Sequence, residues 1–374
     1  MTCPRRAASK RLNVTAALRP GAKNWLESQP QHALSTPAPS LISLAREVEA
    51  YMASGLADVG VEPECGVAVE HDAPHVGSID IPAASQPVQI EWRYAAALLT
   101  IHLLALLAFV PWFFSWTGVV AGILGHFVFG MLGINIGYHR LLTHHGFDCP
   151  KWLEHTLAVL GMCTLQDSPA RWVAIHRIHH KESDHQPDPH SPLAGFLWGH
   201  VGWVLVRSRD HRNVNCFERY VRDLLRDPFY LQLERGQSWF TVYAVHALVL
   251  TALGFAIGWA TTRTMTGATQ MAASMFVWGV VVRTVLVLHG TWAVNSVTHT
   301  WGYRNYETTD NSRNNWLIAL FSHGEGWHNN HHADQRSAAH GHRWWEFDMA
   351  WWVIRALEAV GLARNVVRPR AWRG

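Results

Sequence analysis

Histidines occur in four short stretches whose spacing suits metal coordination. HRIHH and HNNHH place imidazoles at i, i+3 and i+4, on one face of a helix, whereas HRLLTHH spaces two of them at i, i+5 and NSVTH ends in a single histidine. The nine candidate ligands are His139, His144, His176, His179, His180, His299, His328, His331 and His332. Nine imidazoles are too many for one tetrahedral zinc ion and suit two ions with about four to five nitrogen ligands each. Because imidazole binds iron, zinc, copper and nickel, the spacing predicts a two-metal site without selecting the metal.

Other polar residues near these stretches are predicted to support the ligands. Glu325 and Asp188 are candidates to orient ligand N–H groups, with helix capping or a surface position as the alternative. The remaining histidines lack ligand spacing, and surface, capping or supporting roles are predicted for His145, His155, His185, His190, His200, His211, His289, His323, His340 and His342.

Four long apolar segments must position the histidines at a membrane. The chain has 374 residues, of which 49% are hydrophobic and only 16% charged, and it contains 20 Trp. The predicted spans are 94–116, 117–138, 239–262 and 271–297, each long enough to cross a bilayer as a helix. Short turns inside each pair predict two helical hairpins, with a polar insert at 139–238 and a C-terminal region at 298–374. We therefore expect an all-α integral membrane protein with four transmembrane helices and a cytosolic helical cap that carries the histidines.

Basic residues predict the orientation. The insert and the C-terminal tail carry most of the Lys and Arg, so both termini and all four histidine stretches are expected in the cytoplasm of a multi-pass protein. Residues 1–90 are rich in Ala, Ser and Pro and are predicted to form a disordered tail, which leaves 91–374 as the membrane domain. A net charge of +3 and the lack of a recognition motif argue against a nucleic-acid partner.

Five stretches resemble a known family in their order and spacing. They are HRLLTHH, WVAIHRIHHKESDHQPDPHSP, GHVGWVLV, TWAVNSVTH and GEGWHNNHH, and they resemble the integral-membrane fatty acyl desaturases, in particular the Δ9, acyl-CoA desaturase-like branch. The resemblance implies that the nine histidines hold two ferrous ions (Fe²⁺) and that Asn295 reaches one of them through water. It also implies that a bent acyl tunnel is lined by Gln166, Trp172, Thr291 and Trp292. Ile175 stands where animal relatives carry an aspartate near the coenzyme A head group, so an acyl-CoA, an acyl lipid and an acyl-carrier protein are all possible substrates.

The implied reaction is the O₂-dependent insertion of a cis double bond at Δ9. An unactivated methylene is too weak an acid for side-chain acid–base chemistry, so its oxidation needs a metal. The electrons are expected from a separate ferredoxin or cytochrome b5-type protein, because the sequence carries no haem, ferredoxin or flavin motif. A candidate docking surface for an acidic carrier comprises Arg207, Arg209, Arg212, Arg222 and Arg226, although cytoplasmic topology alone also explains these arginines.

Two other functions stay open at this stage. A membrane di-iron hydroxylase, ketolase or acetylenase would use the same oxidant, although NSVTH and GEGWHNNHH favour desaturases. A metal transporter would need ionisable residues at mid-membrane depth, whereas the predicted spans carry few: His102, His126, His246, Arg283 and His289.

Overall fold

The computed structural model describes residues 77–212, 217–235 and 238–372. Across these ranges the chain is helical, and its β-structure is limited to isolated bridges. In chain order the helices are α1 (Trp92–Phe109), α2 (Trp116–Thr143), α3 (Lys151–Met162), α4 (Pro169–Glu182), α5 (Trp198–Gly202), α6 (Trp203–Leu205), α7 (Arg209–Arg212), α8 (Arg222–Leu225), α9 (Pro228–Leu233), α10 (Ser238–Thr262), α11 (Met265–Ser296), α12 (Trp316–Phe321), α13 (His328–Ala333) and α14 (Met349–Ala359). Short 3₁₀ turns lie at Ala83–Ser85, Pro111–Phe113, Pro192–Ala194 and Arg370–Trp372.

Four of the described helices, α1, α2, α10 and α11, are long and apolar enough to cross a membrane, as the sequence predicts. Their limits differ from the predicted ones because local capping sets them. Pro111 follows the end of α1, and the Ser115 hydroxyl caps α2 by accepting the Gly118 N–H at 3.0 Å. Thr264 caps α11 in the same way, through the Gly267 N–H at 3.1 Å, so this helix starts before the predicted residue 271.

The long helices differ in what surrounds them. On α1 and α10, large apolar side chains such as Leu103 (56% exposed) and Leu248 (69% exposed) face outward, which suits a lipid environment. The buried core instead involves α2 and α11, through residues such as Ile136 and Val280. These two inner helices carry His139 and Asn295 toward the same end of the bundle.

Both inner helices contain a π-helical segment. In α2 it covers His126–Thr143, and in α11 it covers Met275–Val282. Such segments are rare and are often found at functional sites. The wider turn changes which side chains share a face, and this matters for the first histidine stretch.

Residues 77–90, which the sequence analysis assigns to the tail, pack against the insert. The Ile79 N–H donates to the Leu193 carbonyl at 3.1 Å, and the Arg207 N–H donates to the Gln89 carbonyl at 2.8 Å. Pairing between backbone groups requires no particular side chains, so the sequence does not predict it. The rest of the predicted disordered tail, residues 1–76, lies outside the described residues.

Candidate metal centre

The nine histidines come together in two adjacent groups. The five-histidine group consists of His139, His144, His176, His180 and His331. Each of these residues has one ring nitrogen that lies within 4.8 Å of the corresponding nitrogens of the other four. The same holds for the four-histidine group, which is His179, His299, His328 and His332. Helix α4 contributes to both groups, and so does α13, because residues at i+3 and i+4 point to neighbouring positions on one helix face. The two groups are therefore adjacent, because they share two helices.

The i, i+5 spacing of His139 and His144 is explained by the π-helical end of α2. The His144 N–H donates to the His139 carbonyl at 3.2 Å, which is the hydrogen bond that a π-turn makes. The two rings then lie 4.8 Å apart, centroid to centroid. His144 is the first residue after the helix.

The loop that leads into α13 depends on glycine and asparagine. Gly324 has φ +117°, and a Cβ there would collide with the Asp348 carboxylate. The asparagine side chains of HNNHH then hold α13 in place, since the Asn329 Oδ1 accepts the Tyr306 N–H at 2.9 Å and the Asn330 Nδ2 donates to the His340 carbonyl at 2.9 Å. These contacts explain why polar residues fill a buried stretch.

Aspartates orient most of the four-histidine group. Asp184 accepts from the His299 Nδ1 at 2.7 Å, Asp310 from the His332 Nδ1 at 2.6 Å, and Asp188 from the His179 Nδ1 at 3.0 Å. Each contact directs the Nε2 toward the centre of the group. Among the described residues, the buried Nε2 atoms of His179 and His332 have no hydrogen-bond partner. This carboxylate–histidine arrangement with an inward nitrogen is the one that metal sites use.

Among the described residues, Glu325 is the carboxylate that contacts the five-histidine group. Glu325 Oε2 lies 2.5 Å from the His139 Nδ1 and 3.2 Å from the His340 Nδ1. The Arg140 guanidinium, buried in α2, lies 2.9 Å from Glu325 Oε1 and 3.0 Å from Asp348. Arg140 therefore neutralises part of the negative charge on this side.

Ring nitrogens of the five-histidine group face one another directly. The His331 Nε2 lies 3.1 Å from the His139 Nε2 and 2.9 Å from the His180 Nε2, which in turn lies 3.0 Å from the His176 Nε2. One ring nitrogen offers either an N–H or a lone pair, so this cluster of contacts cannot consist of good hydrogen bonds alone. A shared cation satisfies all the lone pairs at once. The donor set therefore fits a metal ion.

Burial keeps most of these imidazoles in the form that binds metal. It lowers the pKa of five histidines well below the usual 6.5, and neighbouring imidazoles lower the pKa further: His144, His176, His180, His328 and His331. Neutral imidazole is the ligand form. His299 differs, because burial lowers its pKa but the Asp184 carboxylate more than offsets this and the pKa rises to about 9.

One cavity of about 630 Å³ runs past the five-histidine group. Its lining includes His139, His176 and Asn295, and it also includes all four residues that were predicted to line a tunnel: Gln166, Trp172, Thr291 and Trp292. The Gln166 Nε2 donates to the Thr291 Oγ1 at 3.2 Å, and the Trp172 Nε1 donates to the Gln166 Oε1 at 3.3 Å. This Trp172–Gln166–Thr291 chain forms a polar bracket in the cavity wall.

The backbone around Gln166 is strained. Its neighbours Leu165 and Asp167 have φ values of 61° and 71°, a left-handed backbone conformation that residues other than glycine rarely adopt. Strain of this kind persists only where the surrounding structure enforces it, and it gathers at functional sites. Here it accompanies the placement of Gln166 in the cavity wall.

Sequence reasoning identified some supporting residues and missed others. Glu325 and Asp188 were candidates, and each does contact a ligand ring. Asp184 and Asp310 were not identified, because the loops that carry them show no local spacing and meet the histidines only in the fold. His340, for which a surface, capping or supporting role was predicted, contacts Glu325.

These features define a protein with helices fit for a membrane, two buried histidine groups able to bind metal and a largely apolar cavity beside them. Residues 114–367 match the sequence profile of the fatty acid desaturase family. The chain belongs to the fatty acid desaturase family, whose members use iron. It is therefore an oxidoreductase of fatty acyl chains that associates with a membrane.

Several characterised relatives are similar over most of their length. The chain is 43% identical over 284 residues to the sn-1 stearoyl-lipid 9-desaturase of Anabaena variabilis, covering 76% of this chain and 96% of that protein. It is 39% identical over 288 residues to the sn-2 palmitoyl-lipid 9-desaturase of Nostoc sp. (strain 36), covering 76% and 93%. It is also 43% identical over 281 residues to the icosanoyl-CoA 5-desaturase of Limnanthes douglasii, covering 74% and 72%.

Proposed function

We propose that this desaturase inserts a cis double bond at carbon 9 of saturated acyl chains in membrane lipids, using O₂ and two electrons. The observation that carries the proposal is the pair of histidine groups beside the cavity that contains the Gln166 bracket. The relatives named as lipid 9-desaturases support the position of the double bond and the lipid substrate. Product mass separates this reaction from hydroxylation, since desaturation removes two hydrogens and hydroxylation adds one oxygen.

Two ferrous ions are the proposed cofactors. The five-histidine group would hold one, and the four-histidine group would hold the other with Asn295 contributing through water. When bound, the irons supply together with O₂ the oxidising power that an unactivated C–H bond requires. The carboxylates of Asp184, Asp188, Asp310 and Glu325 each hold a ring N–H, so that the opposite nitrogen stays free for the metal.

The cavity positions the acyl chain. Its apolar lining, which includes Leu98, Ile134 and Leu288, stabilises each buried methylene by about 0.8 kcal/mol. The Trp172 ring lies 5.0 Å from the His176 ring and 6.0 Å from the His139 ring, so the bracket lies next to the proposed metal. A chain that bends at this bracket would present one pair of neighbouring carbons to the metal centre.

The charged residues that line the cavity favour a lipid over coenzyme A. Its lining includes two acids, Glu91 and Asp167, and two bases, Arg93 and Arg171. Arg171 also pairs with Glu234 at 3.2 Å. The phosphates of coenzyme A would therefore find no net positive charge here, and Ile175, another lining residue, adds none.

The topology is part of the proposal. We place α1 with α2 and α10 with α11 as two hairpins of a multi-pass protein, with the cap and both termini in the cytoplasm. The distribution of basic residues supports this orientation. The electron donor is a separate protein, of the ferredoxin or cytochrome b5 type.

The test is a fatty-acid methyl-ester profile from a desaturase-deficient host that expresses the full chain. We expect a new cis monoene, with its position determined by mass spectrometry. The His331→Ala variant should give none, whereas the control His145→Asn should match the wild type, since the His145 side chain is 56% exposed and Asn tolerates its left-handed backbone. Hydroxylated or unchanged acyl chains from an iron-loaded wild type would refute the proposed function.

A further inference from the structure

Each double bond needs electrons from outside the substrate. Removing two hydrogens from the acyl chain and reducing O₂ to two waters consumes two more electrons and two protons. An external one-electron carrier must therefore dock twice per double bond. This inference rests on the proposed function, and the structure offers a surface where such docking can occur.

The C-terminal Trp–Arg patch consists of Arg343, Trp344, Trp345, Arg370 and Trp372. Its tryptophans are 93%, 50% and 43% exposed, in that order. The Arg343 guanidinium lies 5.3 Å from the Trp345 ring centroid, and the Trp344 and Trp345 rings lie 5.5 Å apart. The Trp372 Nε1 donates to the His342 carbonyl at 3.1 Å, which joins the two halves of the patch.

The patch presents cations and aromatic rings to solvent. Its acidic neighbours Asp334, Glu346 and Asp348 are only 5%, 4% and 2% exposed. Asp334 pairs with Arg370 at 3.5 Å, but the Arg370 side chain is itself 76% exposed. Arg and Trp are the residues most enriched where binding energy concentrates at protein interfaces. A positive surface of this kind suits an acidic partner, because complementary charge speeds the encounter and selects the partner.

A continuous path of contacts leads from the patch to the four-histidine group. The Trp372 Nε1 donates to the His342 carbonyl at 3.1 Å, and the Tyr306 hydroxyl lies 2.9 Å from the His342 Nδ1. The Tyr306 backbone exchanges two hydrogen bonds with the Asn329 side chain, at 2.9 and 3.0 Å. Asn329 is the residue next to His328.

A second path leads to the five-histidine group. Glu346 follows Trp345 in the chain, and its Oε2 accepts from the Asn330 Nδ2 at 2.7 Å. Asn330 is the residue next to His331. The patch thus connects to both proposed metal positions through covalent and hydrogen-bonded steps, which carry electrons better than jumps through space.

Two arginines of the insert have partners elsewhere among the described residues. Arg207 lies 3.5 Å from the Glu91 carboxylate, and the Arg209 Nη2 donates to the Ala83 carbonyl at 3.1 Å. Both contacts tie the N-terminal segment of the described chain to the insert. These arginines therefore contribute to the fold as well as to the surface charge.

We propose that the C-terminal Trp–Arg patch docks an acidic one-electron carrier protein and that electrons enter through Trp372, His342 and Tyr306. A membrane-anchoring role for the same residues is the competing outcome. It predicts no loss of carrier binding when they are changed.

Binding is measured first, with the iron-loaded full chain in lipid nanodiscs and an oxidised [2Fe–2S] ferredoxin as the probe. Arg343→Glu and Trp344→Ala should each raise the Kd about tenfold, and salt should weaken binding to the wild type. The matched control is Arg226→Glu, an exposed arginine of the insert, which should leave the Kd within twofold. Iron content per chain verifies that each variant keeps its metal centre.

Electron entry is measured second, as the rate at which reduced ferredoxin is reoxidised. Tyr306→Phe removes the hydroxyl that contacts His342, so it should slow this rate while leaving the Kd unchanged. Wild-type Kd values for both patch variants, or a loss of binding in Arg226→Glu alone, would overturn the proposal. A wild type that forms no double bond even when dithionite replaces the carrier would instead refute the proposed function.

Discussion

Asp310→Asn tests whether the two histidine groups bind metal separately. The Asp310 Oδ2 lies 2.6 Å from the His332 Nδ1, while its Oδ1 accepts from the Ser312 N–H and the Thr308 hydroxyl, both at 2.9 Å. Because these donors hold one oxygen in place, the asparagine must turn its NH₂ toward the His332 Nδ1. The imidazole can then no longer donate there, and it moves its proton to the Nε2 that the metal needs.

The expected cost follows from this loss of a supporting partner. Changes of this type reduce metal affinity about 10–100-fold, which corresponds to roughly 1.4–2.8 kcal/mol. The four-histidine group alone should be affected, since among the described residues the Asp310 carboxylate contacts no ring of the five-histidine group. The variant should therefore lose one ion of two.

The assay is iron per chain, measured by mass spectrometry after dialysis against a graded series of chelator concentrations. The variant should release one ion at a chelator concentration about 10–100-fold below the wild type and keep the second. Glu307→Gln is the acid-to-amide control, because the Glu307 side chain is fully exposed. Retention of both ions to the wild-type endpoint, or simultaneous loss of both, would refute the reasoning.

Two further predictions concern pH and the cavity. In the iron-free protein, burial lowers the pKa of several ligand histidines, including His144 and His176, below 6.5, so the unfolded chain binds more protons and stability falls as pH drops below about 6.5. The loss of stability is at most about 1.4 kcal/mol per pH unit for each of these histidines. His299 behaves in the opposite way, because its contribution to stability is lost only as pH rises toward 9. Thermal unfolding in EDTA from pH 7 to 5 measures the loss at low pH, and a Tm that stays unchanged or rises as pH falls contradicts the prediction. Gly130 lines the cavity, and a Cβ there would lie 3.2 Å from the Val287 side chain. Gly130→Leu should therefore narrow the cavity and shift the products toward shorter acyl chains. An unchanged ratio of C16 to C18 monoenes would contradict a role for Gly130 in limiting chain length.

The six histidines of HRIHH and HNNHH could be grouped from the sequence because helical spacing is a local property. His176, His179 and His180 share a helix face whatever the rest of the chain does. Asp184 and Asp310 could not, since each meets its histidine only through tertiary contacts, 115 and 22 residues away in the chain. The limits of the spans were missed for another reason, namely that hydropathy does not register caps such as Ser115 or a change from α- to π-helix.

The same local geometry explains why one chain can support two unlike histidine groups. Because α4 and α13 each supply both groups, neither position can move without the other. Their surroundings nevertheless differ, since three aspartates contact the four-histidine group, whereas Glu325 beside the five-histidine group is shared with Arg140. The excess negative charge favours higher positive charge at the four-histidine position. Helical spacing thus couples the two positions in space, and residues remote in the sequence make them electrostatically distinct.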